Sequence, residues 1–203
     1  MHSKTILPLM LISLFKLYYC VEDVIPPPGS TFYFAYGSNL LTKRLHLNNP
    51  SAVFYSIAKL ADYRLDFNYQ MEAWQGAVAT IVEDKDAHVW GTVWTMDTDQ
   101  LHYLDDQEGV AIGLYYAKNV TVTTPSGQQL VARTYIETKN PEKAANGTDI
   151  PMERRPSNTY LEVIALGAIE SHLPADYIGY IFSFPTNGKM ASKTRREELG
   201  YPF

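Results

Sequence analysis

Cysteine is almost absent from this 203-residue chain, where Cys20 stands alone. One thiol excludes an intrachain disulfide and any cysteine-rich metal site. Histidine is sparse as well, and His2, His46, His88, His102 and His172 stand at no spacing that would gather a metal ion. The Gly-x-Ser-x-Gly elbow of serine hydrolases is missing, and so is any glycine-rich loop for a phosphate or a dinucleotide. Positive charge does not accumulate: 17 Lys and Arg stand against 22 Asp and Glu, for a net charge of -5. That balance excludes an electrostatic footprint for nucleic acid. The only basic cluster, Lys193-Thr194-Arg195-Arg196, is followed at once by Glu197-Glu198, so residues 187–203 read as a polar, solvated C-terminal tail.

Long apolar runs are lacking too. His2 and Lys4 precede a stretch from Ile6 to Phe15 that Pro8 and Ser13 interrupt. It is too short to span a membrane and fits the core of a signal peptide over residues 1–20. Cleavage after Cys20 would leave a small residue last, although Tyr18 departs from the small-x-small preference. The chain is therefore expected to be secreted; a retained segment would leave it cytoplasmic. Asn119-Val120-Thr121 and Asn146-Gly147-Thr148 are glycosylation sequons that matter only on the secretory route. Residues 21–30, with Pro26-Pro27-Pro28, read as an extended linker.

What remains is an ordinary globular composition, 46% apolar and 19% charged, long enough for one domain with a sizeable core. Phe32 to Tyr36 reads as a first strand, and Leu40 to Leu47 as a short helix. Ser51 to Phe67 is rich in β-branched and aromatic residues and holds one or two strands. Ala77 to Val82 and His88 to Met96 flank the polar Glu83-Asp84-Lys85-Asp86, which signals a hairpin. Asp97 or Thr98 is placed to cap a short helix carrying Leu101 and Leu104, with Gly109 just past its end. Tyr115 to Thr124 and Gln128 to Glu137 form a second hairpin around Pro125-Ser126-Gly127. Lys139 to Pro156 is a long surface loop. Ser157 caps a helix whose Leu161, Ile164, Ala165 and Ala168 share one face, and a final helix runs from Ala175 towards Phe184. Hairpins outnumber helices, which favours an α+β domain around a small mixed or antiparallel barrel.

Two places carry chemistry. Tyr36-Gly37-Ser38-Asn39 ends the first strand in a tight loop, since Gly tolerates positive φ while Ser and Asn bond their own backbone. Such a loop turns backbone N–H groups outward, towards a carboxylate or a developing oxyanion. Glu108 closes the short helix, where the negative end of the helix dipole and partial burial both raise a carboxyl pKa towards the range of a general base. An exposed acidic helix end beside Asp105 and Asp106 is the plainer reading of that segment.

Phe34-Ala35-Tyr36-Gly37-Ser38-Asn39-Leu40-Leu41, Asn49-Pro50-Ser51-Ala52, Trp90-Gly91-Thr92-Val93-Trp94 and Leu104-Asp105-Asp106-Gln107-Glu108-Gly109-Val110 together resemble the γ-glutamylcyclotransferase family. The likeness runs from roughly Phe32 to the helix near Glu170. It implies an α+β fold, a small mixed β-barrel with flanking helices over 31–186, and Glu108 as the catalytic acid/base. Tyr36, Gly37, Ser38, Asn39 and Leu40 correspond to the family's substrate-binding loop, and Tyr115 and Tyr160 to pocket tyrosines. The stretch before Tyr160 is longer than usual, so the pocket edge is expected to differ. Also implied are a small γ-glutamyl substrate turned into 5-oxoproline, no cofactor or metal, and a homodimer. The rival readings are a cyclotransferase specific for glutathione or γ-glutamylamines, and a secreted protein that keeps the fold but only binds a partner.

Overall fold

The computed structural model describes residues 24–145, 148–200 and 202–203. The segment expected to be a signal peptide, its expected cleavage site and the Asn146 acceptor lie outside the described residues. Five strands close into a barrel in the order β1-β3-β2-β4-β5. β1 (Ser30–Ala35) is antiparallel to β3 (Gly76–Asp97), which in turn is antiparallel to β2 (Val53–Met71). β4 (Tyr115–Thr123) and β5 (Gln129–Glu137) form the hairpin expected around Pro125-Ser126-Gly127, with Gly127 at φ 85°. A parallel pairing of Tyr33 with Arg133 makes the barrel mixed, and Lys59 with Thr123 closes its other seam.

The expected hairpin between Ala77–Val82 and His88–Met96 does not form. Both runs belong to the single strand β3, whose register against β2 continues from Tyr63↔Glu83 to Ala61↔His88. Glu83 to Asp86 are polar because this part of β2 and β3 is largely solvent-exposed, not because the chain turns there. Two aspartates bend the pair: Asp62 (φ 61°) lies at a register shift, Asp86 (φ 68°) faces it, and Asp62 Oδ1 accepts the Asp86 N–H at 3.1 Å. Aspartate is among the few side chains that enter the left-handed region readily. The actual turn between β2 and β3 is the 3₁₀ segment Glu72–Trp74, closed by Gln75 at φ 52°.

The helices set the site. A 3₁₀ turn, Ser38–Leu40, follows β1 and leads into α1 (Thr42–His46). A 3₁₀ turn, Thr98–Gln100, precedes α2 (Leu101–Gln107), so the expected Asp97 or Thr98 cap is replaced by a tighter turn without a side-chain cap. In α3 (Asn158–Glu170), Ser157 caps as expected, its hydroxyl accepting the Tyr160 N–H at 3.2 Å. The expected face of α3 is buried, but so are Thr159, Tyr160, Val163 and Gly167, because the helix lies between the 3₁₀ turn on one side and α4 (Ala175–Phe182) on the other. The long loop before it is tied down as well: Arg154 pairs with the buried Asp66 of β2 at 2.5 Å, and Arg64 donates to Pro141 O at 2.8 Å.

The solvated tail is a correction. Residues Lys193–Leu199 form α5, capped by Ser192, and Leu199 is fully buried with Ala191 at 3% exposure. The Ser192 N–H donates to Ala73 O at 3.0 Å, docking the helix on the β2–β3 turn. Lys193, Glu197 and Glu198 are exposed, whereas Arg195 and Arg196 are half-buried and Leu199 enters the core, which a count of charges alone misses.

Gly167 is where α3 meets the loop. A Cβ there would stand 2.3 Å from Leu41 N and 2.5 Å from Leu40 C, a distance that backbone atoms do not tolerate. Gly179 in α4 has nothing within 4 Å. Gly167→Ala is therefore expected to destabilise by about 1–3 kcal/mol through overpacking. Gly179→Ala should instead stabilise by about 0.5–1 kcal/mol through helix propensity. Urea unfolding of the two variants checks the contrast.

Candidate active site

The site is assembled from the end of β1, the start of β3, the end of α2, the β4–β5 hairpin and the start of α3. At the end of β1 the chain leaves the barrel through Tyr36 and Gly37, and the Leu40 N–H makes the first turn bond, to Gly37 O at 3.0 Å. The N–H groups that precede such a first bond have no acceptor within the turn. Gly37 is packed tightly, since a Cβ would stand 3.3 Å from Ala79 Cβ and 3.5 Å from the Tyr160 hydroxyl. Glu108 is the C-cap of α2, its N–H held by Leu104 O at 2.9 Å. Gly109 at φ 63° then turns the chain away, so Glu108 ends the helix and faces the loop.

The two meet across one narrow pocket of ≈ 40 Å³ that Gly37, Ser38 and Asn39 line together with Glu108. Its walls are Tyr33, Tyr36, Tyr115, Tyr135 and Tyr160. Glu108 Oε1 accepts from Gln107 Nε2 at 3.0 Å and from Asn39 Nδ2 at 3.4 Å. Asn39 also donates to the Tyr33 hydroxyl at 2.9 Å. Gln107 is the hub: its amide nitrogen reaches Asn39 Oδ1 at 3.3 Å, and its oxygen accepts from Arg44 at 3.2 Å and Asn48 at 3.2 Å. Loop, α1 and α2 are thereby fixed relative to the carboxylate.

Ala79 of β3 places two of the tyrosines. Its N–H donates to the Tyr160 hydroxyl at 3.1 Å, and its carbonyl accepts from Tyr115 at 2.8 Å. Tyr36 donates to Tyr135 O at 2.5 Å. Burial pushes Tyr33, Tyr36, Tyr115 and Tyr160 well above the usual tyrosine range, and the nearby Glu108 charge adds to it. All four remain protonated donors at neutral pH. Burial also raises Glu108 above the ordinary carboxylate range, and hydrogen bonds from Gln107 and Asn39 and the Arg44 charge offset part of that rise. A polar, water-poor pocket thus holds a single carboxyl group poised to exchange a proton.

Comparison with known proteins places this arrangement. A bovine protein named gamma-glutamylcyclotransferase is 46% identical over 161 residues, which is 77% of this chain and 80% of that protein. The chain belongs to the γ-glutamylcyclotransferase family. The human protein of the same name is 42% identical over 161 residues, again 77% of this chain and 80% of its own length. A solved structure titled gamma-glutamyl cyclotransferase superposes with a TM-score of 0.74 at 37% identity, covering 84% of this chain and 98% of that one. The model of the AIG2-like family matches residues 88–181.

Of the γ-glutamylcyclotransferase-like positions expected from the sequence, Tyr36, Gly37, Ser38, Asn39, Glu108, Tyr115 and Tyr160 come together at the one pocket. Leu40 does not line it. It is fully buried beneath Gly167 and supports the loop from below. Tyr33, Tyr135 and Ala79 line the pocket without any motif to announce them. Tyr33 stands three before Tyr36, a spacing that on a strand puts side chains on opposite faces, and Tyr135 sits in an ordinary β-prone run. Among the described residues no group of three or more His, Cys, Asp and Glu stands where it could hold a metal ion, and no helix is long and apolar enough to cross a membrane.

The raised Glu108 carboxyl has a measurable consequence for stability. Its folded-state pKa lies above its unfolded one, so its stabilising contribution is present below the unfolded pKa and is lost as pH rises through the folded pKa. Glu108→Gln removes the buried charge and keeps the acceptor oxygen. The variant should melt above the unaltered chain at pH 7 and beyond, with the difference closing below about pH 4.3, the ordinary glutamate value. Melting curves across that range decide it; a gap that widens on acidification contradicts the burial argument.

Proposed function

We propose that the chain converts γ-glutamyl amino acids or γ-glutamyl dipeptides into 5-oxoproline and the free amino acid or peptide. A γ-glutamyl amide carries its own nucleophile, the α-amine, which closes a five-membered ring on the γ-carbonyl carbon. The new C–N bond forms as the old amide C–N bond breaks. An α-amine is largely protonated near neutrality, with a reference pKa of about 8, so a base must take its proton. The α-ammonium loses two protons in becoming the lactam N–H, and the departing nitrogen gains two in leaving as an ammonium; Glu108 relays them, so the group ends the cycle as it began. The N–H groups of Gly37 to Asn39 hold the substrate carboxylate or the oxyanion of the tetrahedral intermediate. The buried tyrosine hydroxyls orient the folded conformer, which is most of the task when attack is intramolecular.

One observation carries the reading: a desolvated carboxyl, Glu108, stands across a tyrosine-walled pocket from the Gly37–Asn39 turn. The names of the bovine and human relatives support the reaction class. Incubation with γ-glutamylalanine should release 5-oxoproline. Glu108→Gln should lower kcat at least about 100-fold, the usual size of a general-base contribution. Full turnover by a folded Glu108→Gln variant would refute the role.

We also propose that residues 1–20 direct secretion. The Asn119 acceptor is exposed on β4, where a glycan has room. Expression in a eukaryotic host should give medium protein that begins at Val21 by N-terminal sequencing; protein retained in the cell with an intact Met1 argues for the cytoplasm.

A further inference from the structure

A second cavity of ≈ 220 Å³ opens beside the first and shares Ser38, Glu108, Tyr115 and Tyr160 with it. Its far wall is built from Arg44, Trp74 and Arg195. Arg44 is 4% exposed and the Arg195 side chain 18%. The Trp74 ring carries both guanidinium groups, with Cζ of Arg44 at 6.0 Å and Cζ of Arg195 at 5.0 Å from its centroid. Burial first, and the Arg195 charge next, push Arg44 below its usual range.

The two cations are only partly neutralised at this wall: the Glu108 charge acts on Arg44, and Arg195 pairs with Glu198. Among the described residues Arg44 has no carboxylate within ion-pair distance, and its recorded hydrogen bond is the one to Gln107. Among the described residues the ion pair of Arg195 is with Glu198, at 3.1 Å, on its own helix. The Nε atoms of both arginines are buried without a hydrogen-bond partner. Two like charges on one ring, one of them buried and without an ion pair, favour an anion that joins them. A planar carboxylate suits the guanidinium fork best.

The cavity begins at Glu108, where the proposed chemistry leaves the departing amine. In a γ-glutamyl amino acid that nitrogen is one carbon away from a carboxylate. We propose that Arg44 and Arg195, braced on Trp74, bind the carboxylate of the leaving amino acid, so that the chain selects γ-glutamyl amino acids over γ-glutamylamines that lack one. This rests on the cyclotransferase reading above and names the part of the substrate the second cavity takes. Arg195 comes from the segment that the sequence offered as a solvated tail, and its place at the site follows from the docking of α5 through Ser192.

The test uses γ-glutamylalanine and γ-glutamylethylamide, which differ in the leaving-group carboxylate. Arg195→Gln should lower the kcat/KM ratio of the first over the second by about 10-fold or more, mainly through KM, as expected for loss of a charge-assisted hydrogen bond. Arg195→Lys, which keeps the charge without the fork, should recover part of that ratio. An unchanged ratio, or equal losses on both substrates, overturns the assignment. In parallel, calorimetry on Glu108→Gln should show tighter binding of γ-glutamylalanine than of the ethylamide, with the gap closing in Glu108→Gln/Arg195→Gln. A gap that persists in the double variant also overturns it. Should the unaltered chain release no 5-oxoproline from either compound, the cyclotransferase reading fails, and the calorimetric gap alone decides the carboxylate site.

Discussion

The geometry of the site depends on backbone meeting backbone where α3 crosses Leu40 and Leu41. Only a glycine allows that approach, and Gly167 supplies it. Leu40 is thereby sealed into the core, so the 3₁₀ turn above it has a rigid floor. The same helix brings Tyr160 to Ala79, and Ala79 holds Tyr115. One close contact therefore sets the distance between the loop and the tyrosine wall. Active-site groups tolerate little misplacement, and a stiff support of this kind is how a small barrel keeps them in register.

Electrostatics follows from that packing. Five tyrosines make a pocket that is polar in donors yet buried, and the carboxylate of Glu108 in it is pushed towards its neutral form. Asn39, Gln107 and Arg44 limit the rise instead of cancelling it. The balance matters because a base that is too strong stays protonated and one that is too weak never takes the proton. Elsewhere the molecule handles buried charge in the opposite way, by saturation: Asp66 lies between Arg64 and Arg154 and also accepts the Phe67 N–H at 2.8 Å.

Local chemistry made much of this readable in the sequence. The Tyr-Gly-Ser-Asn turn, the Gly127 hairpin, the Ser157 cap and the helix end at Glu108–Gly109 are each specified by residues within a few positions. Long-range outcomes were not readable. Glu83 to Asp86 look like a turn because polarity reports exposure, and exposure is shared by turns and by a strand that leaves the barrel. Tyr33 and Tyr135 belong to one wall only because β1 and β5 pair in parallel at Tyr33 and Arg133, a closure no local pattern encodes. Arg195 was hidden for a related reason, since a cation that docks on Trp74 and one that waves in solvent are spelled alike.

The docking of Ser192 on Ala73 also bears on how the protein is made. A chain emerging from the ribosome exposes the barrel, the loop and Glu108 long before residues 192–199 are available. Until then Trp74 lacks one of its two guanidinium neighbours, and the second cavity stands open on that side. The pocket around Glu108 is thus complete once α3 has brought Tyr160 to it, while the neighbouring cavity is finished last, by Arg195.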